Sequence, residues 1–179
     1  RKMQVVFQDP FGSFNPRHKV ARLITEPFHL LETPLTQEER QRLINQTLTA
    51  VGLDPSDANK YIHQFSGGQR QRIAIARALI IQPDLIVFDE AVSALDVSVR
   101  AQILDLLANL SAKYNLTYLF ISHDLSVVRT ITDRVLVMQR GEIVEQGETE
   151  QVFTAPNHPY TQELIAAAPV LPDLQHLKG

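Results

Sequence analysis

The chain has 179 residues, enough for one domain with its own core or for a core with a small accessory lobe. Its hydrophobic share of 44% favours a globular protein over a disordered one, and its net charge of −3 argues against a generic nucleic-acid-binding protein. Cysteine is absent, which excludes disulfides, thiolate metal ligands and a cysteine nucleophile. No stretch approaches the roughly 20 apolar residues of a membrane helix, and the first residues lack a signal-peptide pattern.

The first element in chain order is a short strand. Residues 3–8 are rich in β-branched and aromatic residues and are followed by the breaker pair Asp9-Pro10. Because the first residue is not methionine and a strand begins almost at once, we expect the chain to be part of a longer protein.

Residues 13–64 are polar and predict helices. Thr36 is expected to cap a helix in which Glu39 completes a capping box. Apolar residues then recur at helical spacing at Leu43, Ile44, Leu48 and Val51. No convincing β alternation interrupts this region, so we predict a separate helical lobe.

Residues 84–121 predict a βαβ unit. Two short apolar runs, Leu85 to Phe88 and Thr117 to Ile121, flank a longer amphipathic segment. The apolar residues on one helical face of that segment are Val99, Ile103, Leu106, Leu107 and Leu110. Strands that are apolar on both faces and joined by such a helix are typical of a buried parallel sheet. The carboxyl ends of the two strands should therefore meet at one edge, where open α/β sheets bind ligands.

Polar residues follow both strands at that edge. Asp89 and Glu90 follow the first strand, and Ser122 and His123 follow the second. One carboxylate could hold a cation, the other could orient or deprotonate water, and the imidazole could face developing charge. A second interpretation is equally open on this pattern alone, in which the polar residues only cap the following helices.

A glycine turn opens the helix predicted from Gly67 to Ile80, with Ser66 as its cap. No acidic residue lies between Asp57 and Asp84. The basic residues in that interval are Lys60, Arg70, Arg72 and Arg77. A glycine turn at a positive helix start is typical of a phosphate site. Taken alone, Ser-Gly-Gly is more often a surface turn, and the phosphate interpretation rests on this helix leading directly into the strand with the acidic pair.

Five motifs in this order resemble those of ABC-transporter ATPases. Phe65–Gln69 (FSGGQ) resembles the signature motif, Leu85–Glu90 (LIVFDE) resembles Walker B with the catalytic glutamate, and Ser93–Asp96 (SALD) resembles the D-loop. His123 in ISHDL resembles the switch histidine, and Gln8 in VVFQDP resembles the Q-loop glutamine. The segments QDPFGSFNPR, RAQILDLL and PNHPYTQELIAAAP are similar to the oligopeptide and dipeptide importer branch. Within that branch the chain most resembles ATPases of the peptide or microcin-uptake kind that carry two fused nucleotide-binding domains.

The resemblance implies an α/β, P-loop NTPase-like fold with a parallel sheet core and an inserted α-helical subdomain. It divides the chain into the Q-loop strand at 1–12, a helical subdomain ending in the signature helix at 13–82, and a catalytic core with Walker B, D-loop and H-loop at 83–147. Residues 148–179, with two short helical patterns, would form a C-terminal helical extension. None of the seven glycines begins the Walker A pattern G-x-x-x-x-G-K-[ST], so we expect a nucleotide-binding domain without roughly its first third.

The resemblance also implies a role for each motif residue. Asp89 would hold Mg²⁺ through water, Glu90 would polarise the attacking water, and His123 would contact the γ-phosphate of ATP. Gln8 would contact the metal or the water and link them to the helical lobe. His158, by contrast, is expected to fix the turn before the last helix.

Two motifs would act across a dimer. The signature residues Ser66–Gln69 would bind the ATP held by the opposite domain, and Ser93 and Asp96 would lie between the two sites. The implied partners are a second nucleotide-binding domain, head to tail or fused upstream, and permease subunits that contact the helical subdomain. A periplasmic or extracellular solute-binding protein would act indirectly, and no nucleic-acid partner is expected. The implied location is peripheral, at the cytoplasmic face of the plasma membrane.

The expected function is ATP hydrolysis that energises import of peptides or peptide-like solutes, with these 179 residues inactive on their own. Two alternatives stay open: a soluble ABC-type ATPase of DNA repair or translation, and a regulatory domain without catalysis. The compact 13–64 lobe does not resemble the long insertions of the first class. The chain also departs from the family pattern, since Ala91-Val92 replaces the usual Pro-Thr, which predicts a less rigid loop after Glu90, and Phe65 replaces the commoner Leu.

Overall fold

A computed structural model describes residues 3–9 and 12–169 of the chain. These residues form two compact units, one ending at Ile121 and the other beginning at Ser122. The first unit contains a three-stranded parallel sheet and a helical lobe, and the second contains a two-stranded antiparallel sheet with short helices. No helix in the described part of the chain is long and apolar enough to cross a membrane.

The helices and strands divide between the two units. Those of the first unit are β1 (Met3–Phe7), α1 (Val20–Ile24), α2 (Gln37–Ala50), α3 (Gly67–Leu79), β2 (Leu85–Asp89), α4 (Val97–Tyr114) and β3 (Thr117–Ile121). Short 3-10 helices lie at Glu26–Leu30, Pro55–Asn59 and Ile62–Gln64. Those of the second unit are α5 (Leu125–Ile131), β4 (Arg134–Gln139), β5 (Glu142–Glu148), α6 (Thr149–Thr154) and α7 (Pro159–Ala167). Of the predicted breaker pair after β1, Pro10 lies outside the described residues.

The three strands of the first unit are parallel, with β2 in the centre. The predicted βαβ unit is confirmed, because β2 and β3 pair in parallel and α4 joins them. The pairing register places Phe7, Asp89 and Ile121 side by side at the carboxyl ends of the strands. The three strands therefore end flush with one another.

One face of this sheet is buried. Phe88 is 1% exposed, stacks on Phe120 with ring centroids 4.7 Å apart, and meets the edge of Tyr118. The Tyr118 hydroxyl donates to the Leu107 carbonyl at 2.9 Å, so α4 covers this face. Burial raises the pKa of Tyr118, which keeps its phenol protonated as a donor.

The opposite face of the sheet is open. Phe7, Leu119 and Ile121 are 53%, 45% and 48% exposed. The prediction that the sheet is buried on both faces is therefore wrong for the described residues. The physical reason is that the helix joining β2 to β3 covers only one face. The apolar character of the strands does not reveal whether another element covers the second face.

The helical lobe is built around α3, which contacts α1, α2, α4 and β1. Helix α2 begins with the predicted capping box, since Thr36 Oγ1 accepts from Glu39 N at 3.2 Å and Glu39 Oε2 accepts from Thr36 N at 2.8 Å. The apolar face of α2 is buried at Ile44 and Leu48, as its spacing predicts. The described part of the lobe contains a single isolated β-bridge, between Lys19 and Tyr61, and no strand.

The second unit consists of the β4–β5 hairpin and the helices around it. Arg140 and Gly141 have φ of 51° and 85°, the pattern of a tight two-residue hairpin turn. The Glu145 carboxylate accepts from Asn157 N at 2.8 Å and from His158 N at 3.0 Å, which anchors the chain before α7. His158 Nδ1 accepts from Tyr160 N at 3.1 Å and caps α7, so the predicted role of His158 in this turn is confirmed.

Candidate functional site

The carboxyl edge of the parallel sheet brings three of the predicted site residues together. Asp89 is the last residue of β2, and it lies next to Phe7 of β1 in the register. Gln8 and Glu90 are the residues that follow those two positions, so both lie at the same edge. Gln8 is exposed and Asp89 and Glu90 are half-buried. An amide and two carboxylates therefore belong to residues at the sheet edge where open α/β sheets bind ligands.

The backbone of Glu90 is fixed in an unusual conformation. Its φ is +53°, in the left-handed region that costs a non-glycine residue roughly 1 kcal/mol. Glu90 N donates to the Ile121 carbonyl at 2.9 Å, and the Ser93 hydroxyl donates to the Glu90 carbonyl at 2.8 Å. Ala91 and Val92 are 6% and 5% exposed. Apolar packing of Ala91 and Val92 thus constrains the loop after Glu90, where these two residues replace the usual Pro-Thr.

Helix capping does not account for the acidic pair. Asp96 is the residue that caps α4, with its carboxylate accepting from Val99 N at 3.0 Å. Helix α5 is capped by Asp124, which accepts from Ser126 N at 3.0 Å, and not by Ser122 or His123. Of the two interpretations that the sequence left open, capping fits Asp96 but leaves Asp89 and Glu90 unexplained.

The signature turn forms the beginning of α3. Ser66 Oγ accepts from Gln69 N at 3.3 Å, and Gln69 Oε1 accepts from Ser66 N at 3.0 Å, which is a capping box. Both side chains are exposed. The helix expected from Gly67 to Ile80 runs from Gly67 to Leu79, which agrees with the prediction.

The two signature glycines differ in their surroundings. A Cβ added at Gly67 would meet nothing within 4 Å, whereas one added at Gly68 would lie 2.5 Å from Val99 Cγ1. Val99 belongs to the first turn of α4, which Asp96 caps. The signature turn therefore packs closely against the beginning of α4, next to the D-loop residues. A side chain at position 68 would force a shift of Val99 or of a helix, whereas a side chain at position 67 would meet no such obstacle.

The arginines of α3 donate hydrogen bonds to carbonyl groups of the same chain. Arg70 Nε donates to the Ile62 carbonyl at 3.1 Å, and Arg72 Nη1 donates to the Val51 carbonyl at 2.7 Å. Arg77 Nη1 donates to the Ser13 carbonyl at 3.2 Å. These guanidinium groups tie α3 to the lobe, and a role for them in an anion site stays a prediction. The sequence shows their charge but not the carbonyl groups that the fold brings to them.

His123 belongs to the second unit, where it is exposed and precedes the cap of α5. The first unit contains the other predicted site residues, namely Gln8, Ser66, Gly67, Gly68, Gln69, Asp89, Glu90, Ser93 and Asp96. The role of His123 at the sheet edge stays a prediction. Sequence reasoning missed the contact that Val99 makes beside the signature turn, because Val99 was noted only as part of an apolar helix face. Arg77 was noted only for its charge and not for its hydrogen bonds to Ser13 and Glu26.

A solved structure has a fold similar to that of this chain. The chain is similar to cbiO1 from Clostridium perfringens, described as part of the ABC transporter complex cbiONQ, with a TM-score of 0.76 and 27% identity. The match covers 86% of this chain and 60% of that chain. The fold is thus that of an α/β, P-loop NTPase-like domain, and the predicted fold class is confirmed.

Comparison with protein families identifies the chain further. The ABC transporter family model matches residues 1–93, which is just over half of the chain. The chain therefore belongs to the ABC transporter family. A second family model, for the C-terminal region of oligopeptide/dipeptide transporters, matches residues 144–179.

Curated relatives point to the same branch. The chain is 52% identical over 171 residues to the dipeptide transport ATP-binding protein DppF of Escherichia coli, covering 96% of this chain and 51% of that protein. It is 52% identical over 170 residues to the oligopeptide transport ATP-binding proteins OppF of Streptococcus pyogenes and AppF of Bacillus subtilis, covering 95% of this chain and 55% and 51% of those proteins. The chain thus spans little more than half the length of these relatives. The predicted resemblance to the peptide importer branch is confirmed and is favoured over both alternatives.

Proposed function

We propose that this chain is part of the ATP-hydrolysing subunit of an importer of peptides or peptide-like solutes. The observation that carries the proposal is the row of strand ends that brings Gln8 to the acidic pair Asp89 and Glu90. The similarity to dipeptide and oligopeptide transport ATP-binding proteins supports the substrate class. The transported solute itself would be selected by the other subunits.

The donor groups at the sheet edge suit a magnesium ion. Asp89 offers carboxylate oxygens and Gln8 an amide oxygen, and Mg²⁺ prefers oxygen ligands. No group of three or more acidic or histidine side chains that could hold an ion lies within residues 3–9 and 12–169. Magnesium usually takes one or two carboxylates together with water and the phosphates of the nucleotide. Asp89 would therefore hold the ion through water, with Gln8 beside it.

Glu90 is the residue best placed to act on water. In ATP hydrolysis the water oxygen bonds to the γ-phosphorus as the bond to the β–γ bridging oxygen breaks, giving ADP and phosphate. The Glu90 carboxylate would orient that water and accept its proton, and His123 would contact the γ-phosphate. The hydrogen bonds of the Glu90 backbone to Ile121 and Ser93 fix the backbone from which the carboxylate extends, which would lower the reorganisation needed during the reaction.

The signature turn would serve the nucleotide of a second domain. Backbone N–H groups in the first turn of a helix lack intrahelical acceptors and bind anions. Gly67 is exposed and open, so a phosphate could approach its backbone closely. Ser66–Gln69 would bind ATP in this way in a head-to-tail dimer, with Ser93 and Asp96 between the two sites.

These roles divide the chain into four segments. We propose a Q-loop strand at 1–12, a helical subdomain at 13–82, a catalytic core at 83–147 and a C-terminal extension at 148–179. The helical subdomain would contact the permease subunits at the cytoplasmic face of the membrane, and a solute-binding protein would deliver the peptide from the other side.

The proposal is tested on the whole protein assembled with its permease in proteoliposomes. We expect uptake of radiolabelled di- and oligopeptides that requires ATP and Mg²⁺ and stops in the Glu90→Gln variant. Glu163→Gln, which changes an exposed carboxylate on α7, is the matched control and should transport normally. ATP hydrolysis without peptide uptake would refute the substrate class, and wild-type protein without ATP hydrolysis would refute the proposal as a whole.

A further inference from the structure

Arg77 makes four contacts near the C-terminal end of α3. Its Nη1 donates to the Ser13 carbonyl at 3.2 Å and to Glu26 Oε2 at 3.3 Å, and its Nη2 donates to Ser13 Oγ at 3.1 Å. Its guanidinium carbon lies 4.5 Å from the centre of the Phe14 ring. The Arg77 side chain is only 17% exposed, and Phe14 is 5% exposed. These contacts together form what we call the Arg77 clamp.

The clamp joins two segments that carry site residues. Helix α3 begins with the signature turn, and Ser13 lies five residues after Gln8. Asp9, the residue after Gln8, lies close to Gly12, the residue before Ser13, because a Cβ added at Gly12 would lie 3.0 Å from Asp9 Oδ2. A displacement of Ser13 should therefore be passed on to Gln8 through this contact.

Only an arginine can make all of these contacts. Its planar fork donates several hydrogen bonds at fixed angles while its face stacks on an aromatic ring, and lysine can do neither in the same way. Burial lowers the pKa of the Arg77 guanidinium and the Glu26 carboxylate opposes this, but an arginine remains charged in either case. The clamp is thus a charged, directional contact and not merely apolar filling.

We infer that Arg77 is a positioning residue that sets Gln8 relative to the signature turn of its own domain, so that ATP turnover depends on it more than ATP binding does. This inference rests on the proposed function, in which both Gln8 and the signature turn serve ATP hydrolysis. A misplacement of about 1 Å at a reacting group can cost up to about 100-fold in rate.

The test uses the whole protein assembled with its permease in proteoliposomes. Arg77→Lys keeps the charge but loses the fork and the stacking, and Arg42→Lys is the matched control at an exposed position on α2. We measure kcat and KM for ATP, binding of a fluorescent ATP analogue, and hydrogen exchange of the peptide covering residues 12–18. Arg77→Lys should lower kcat about tenfold, the equivalent of one charge-assisted hydrogen bond, and leave KM within about twofold. Exchange in residues 12–18 should rise, and Arg42→Lys should change nothing.

Two milder variants keep the test decisive where Arg77→Lys does not fold. Phe14→Leu removes the stacking and Ser13→Ala removes one hydrogen bond, and each should lower kcat about threefold with KM unchanged. Faster exchange and a lower melting temperature with unchanged kcat in these variants would show a purely structural clamp and overturn the inference alone. Wild-type protein without ATPase activity would overturn the proposed function and the inference together.

Discussion

The contact between Gly68 and Val99 makes the two signature glycines unequal, and this can be measured as stability. The change Gly68→Ala places a methyl group 2.5 Å from Val99 Cγ1, where ordinary contact begins at 3.4 Å. Val99 is β-branched and lies in the first turn of α4, so its side chain has one preferred rotamer and cannot turn away freely. Either α3 or α4 must shift by several tenths of an ångström.

The expected cost can be worked out from two opposing effects. Overpacking of this kind costs about 1–3 kcal/mol, and replacing a helical glycine by alanine gains about 0.5–1 kcal/mol. Gly68→Ala should therefore lower the free energy of unfolding by about 1–2 kcal/mol. Gly67→Ala has only the gain, because its Cβ would meet nothing within 4 Å, and should raise the free energy of unfolding by about 0.5–1 kcal/mol.

Urea unfolding of the purified protein, followed by far-ultraviolet circular dichroism, measures these differences. The double variant Gly68→Ala/Val99→Ala removes the clash, so it should be more stable than the sum of the two single changes by at least about 1 kcal/mol. Strict additivity in this cycle would refute the proposed contact. So would a Gly68→Ala variant that is stabilised as much as Gly67→Ala.

Three further predictions follow from single features. Thr36→Ala removes the capping box of α2 and should lower the free energy of unfolding by about 1 kcal/mol, seen as a lower urea midpoint. Interactions with the Asn157 backbone, the Thr161 side chain and the His158 backbone lower the pKa of Glu145 below its ordinary value of 4.5. Its carboxylate therefore stabilises the fold above that pH, and the stabilisation is lost as the pH falls through the lowered pKa. Glu145→Gln should accordingly flatten the pH dependence of stability below pH 4.5. The 179 residues on their own should bind Mg-ATP weakly in calorimetry and hydrolyse none, because they contain no Walker A pattern.

Each of these has an outcome that contradicts it. Thr49→Ala is the control for Thr36→Ala, since the Thr49 hydroxyl donates to the Asn45 carbonyl within α2 and caps no helix start. An equal loss in both variants would argue against the cap. An unchanged stability profile of Glu145→Gln in acid would show that the Glu145 contacts contribute nothing. Micromolar affinity of the 179 residues for Mg-ATP, or turnover by them that Glu90→Gln abolishes, would contradict the third prediction.

Local sequence patterns predicted most of the fold. The capping box of Thr36 and Glu39 and the βαβ unit ending at Asp89 and Ile121 both depend on residues near each other in the chain, and both are present. The open face of the sheet was not predictable. Leu119 and Ile121 are apolar whether or not a further element covers them, so their character alone indicates a burial that the described residues do not provide.

The candidate site also has features that the sequence predicts and features that it does not. The place of Asp89 and Glu90 at the carboxyl edge follows from the βαβ unit, which the sequence predicts. Gln8 was assigned to the site only by its resemblance to the Q-loop, and it reaches that edge because β1 pairs in parallel with β2. The Arg77 clamp joins residues 64 positions apart, and the Gly68–Val99 contact joins two helices. Such contacts depend on how the helices cross, and the periodicity of the sequence does not predict the crossing geometry.

The most direct test of the central claim is the Glu90→Gln variant of the whole protein. If Glu90 acts on the attacking water, the variant should bind Mg-ATP as tightly as the wild type while its turnover falls by about 100-fold or more. Binding of a fluorescent ATP analogue and phosphate release, measured on the same preparation, separate the two effects. Equal loss of binding and turnover would show that Glu90 is structural, and turnover close to that of the wild type would show that it takes no part in the reaction.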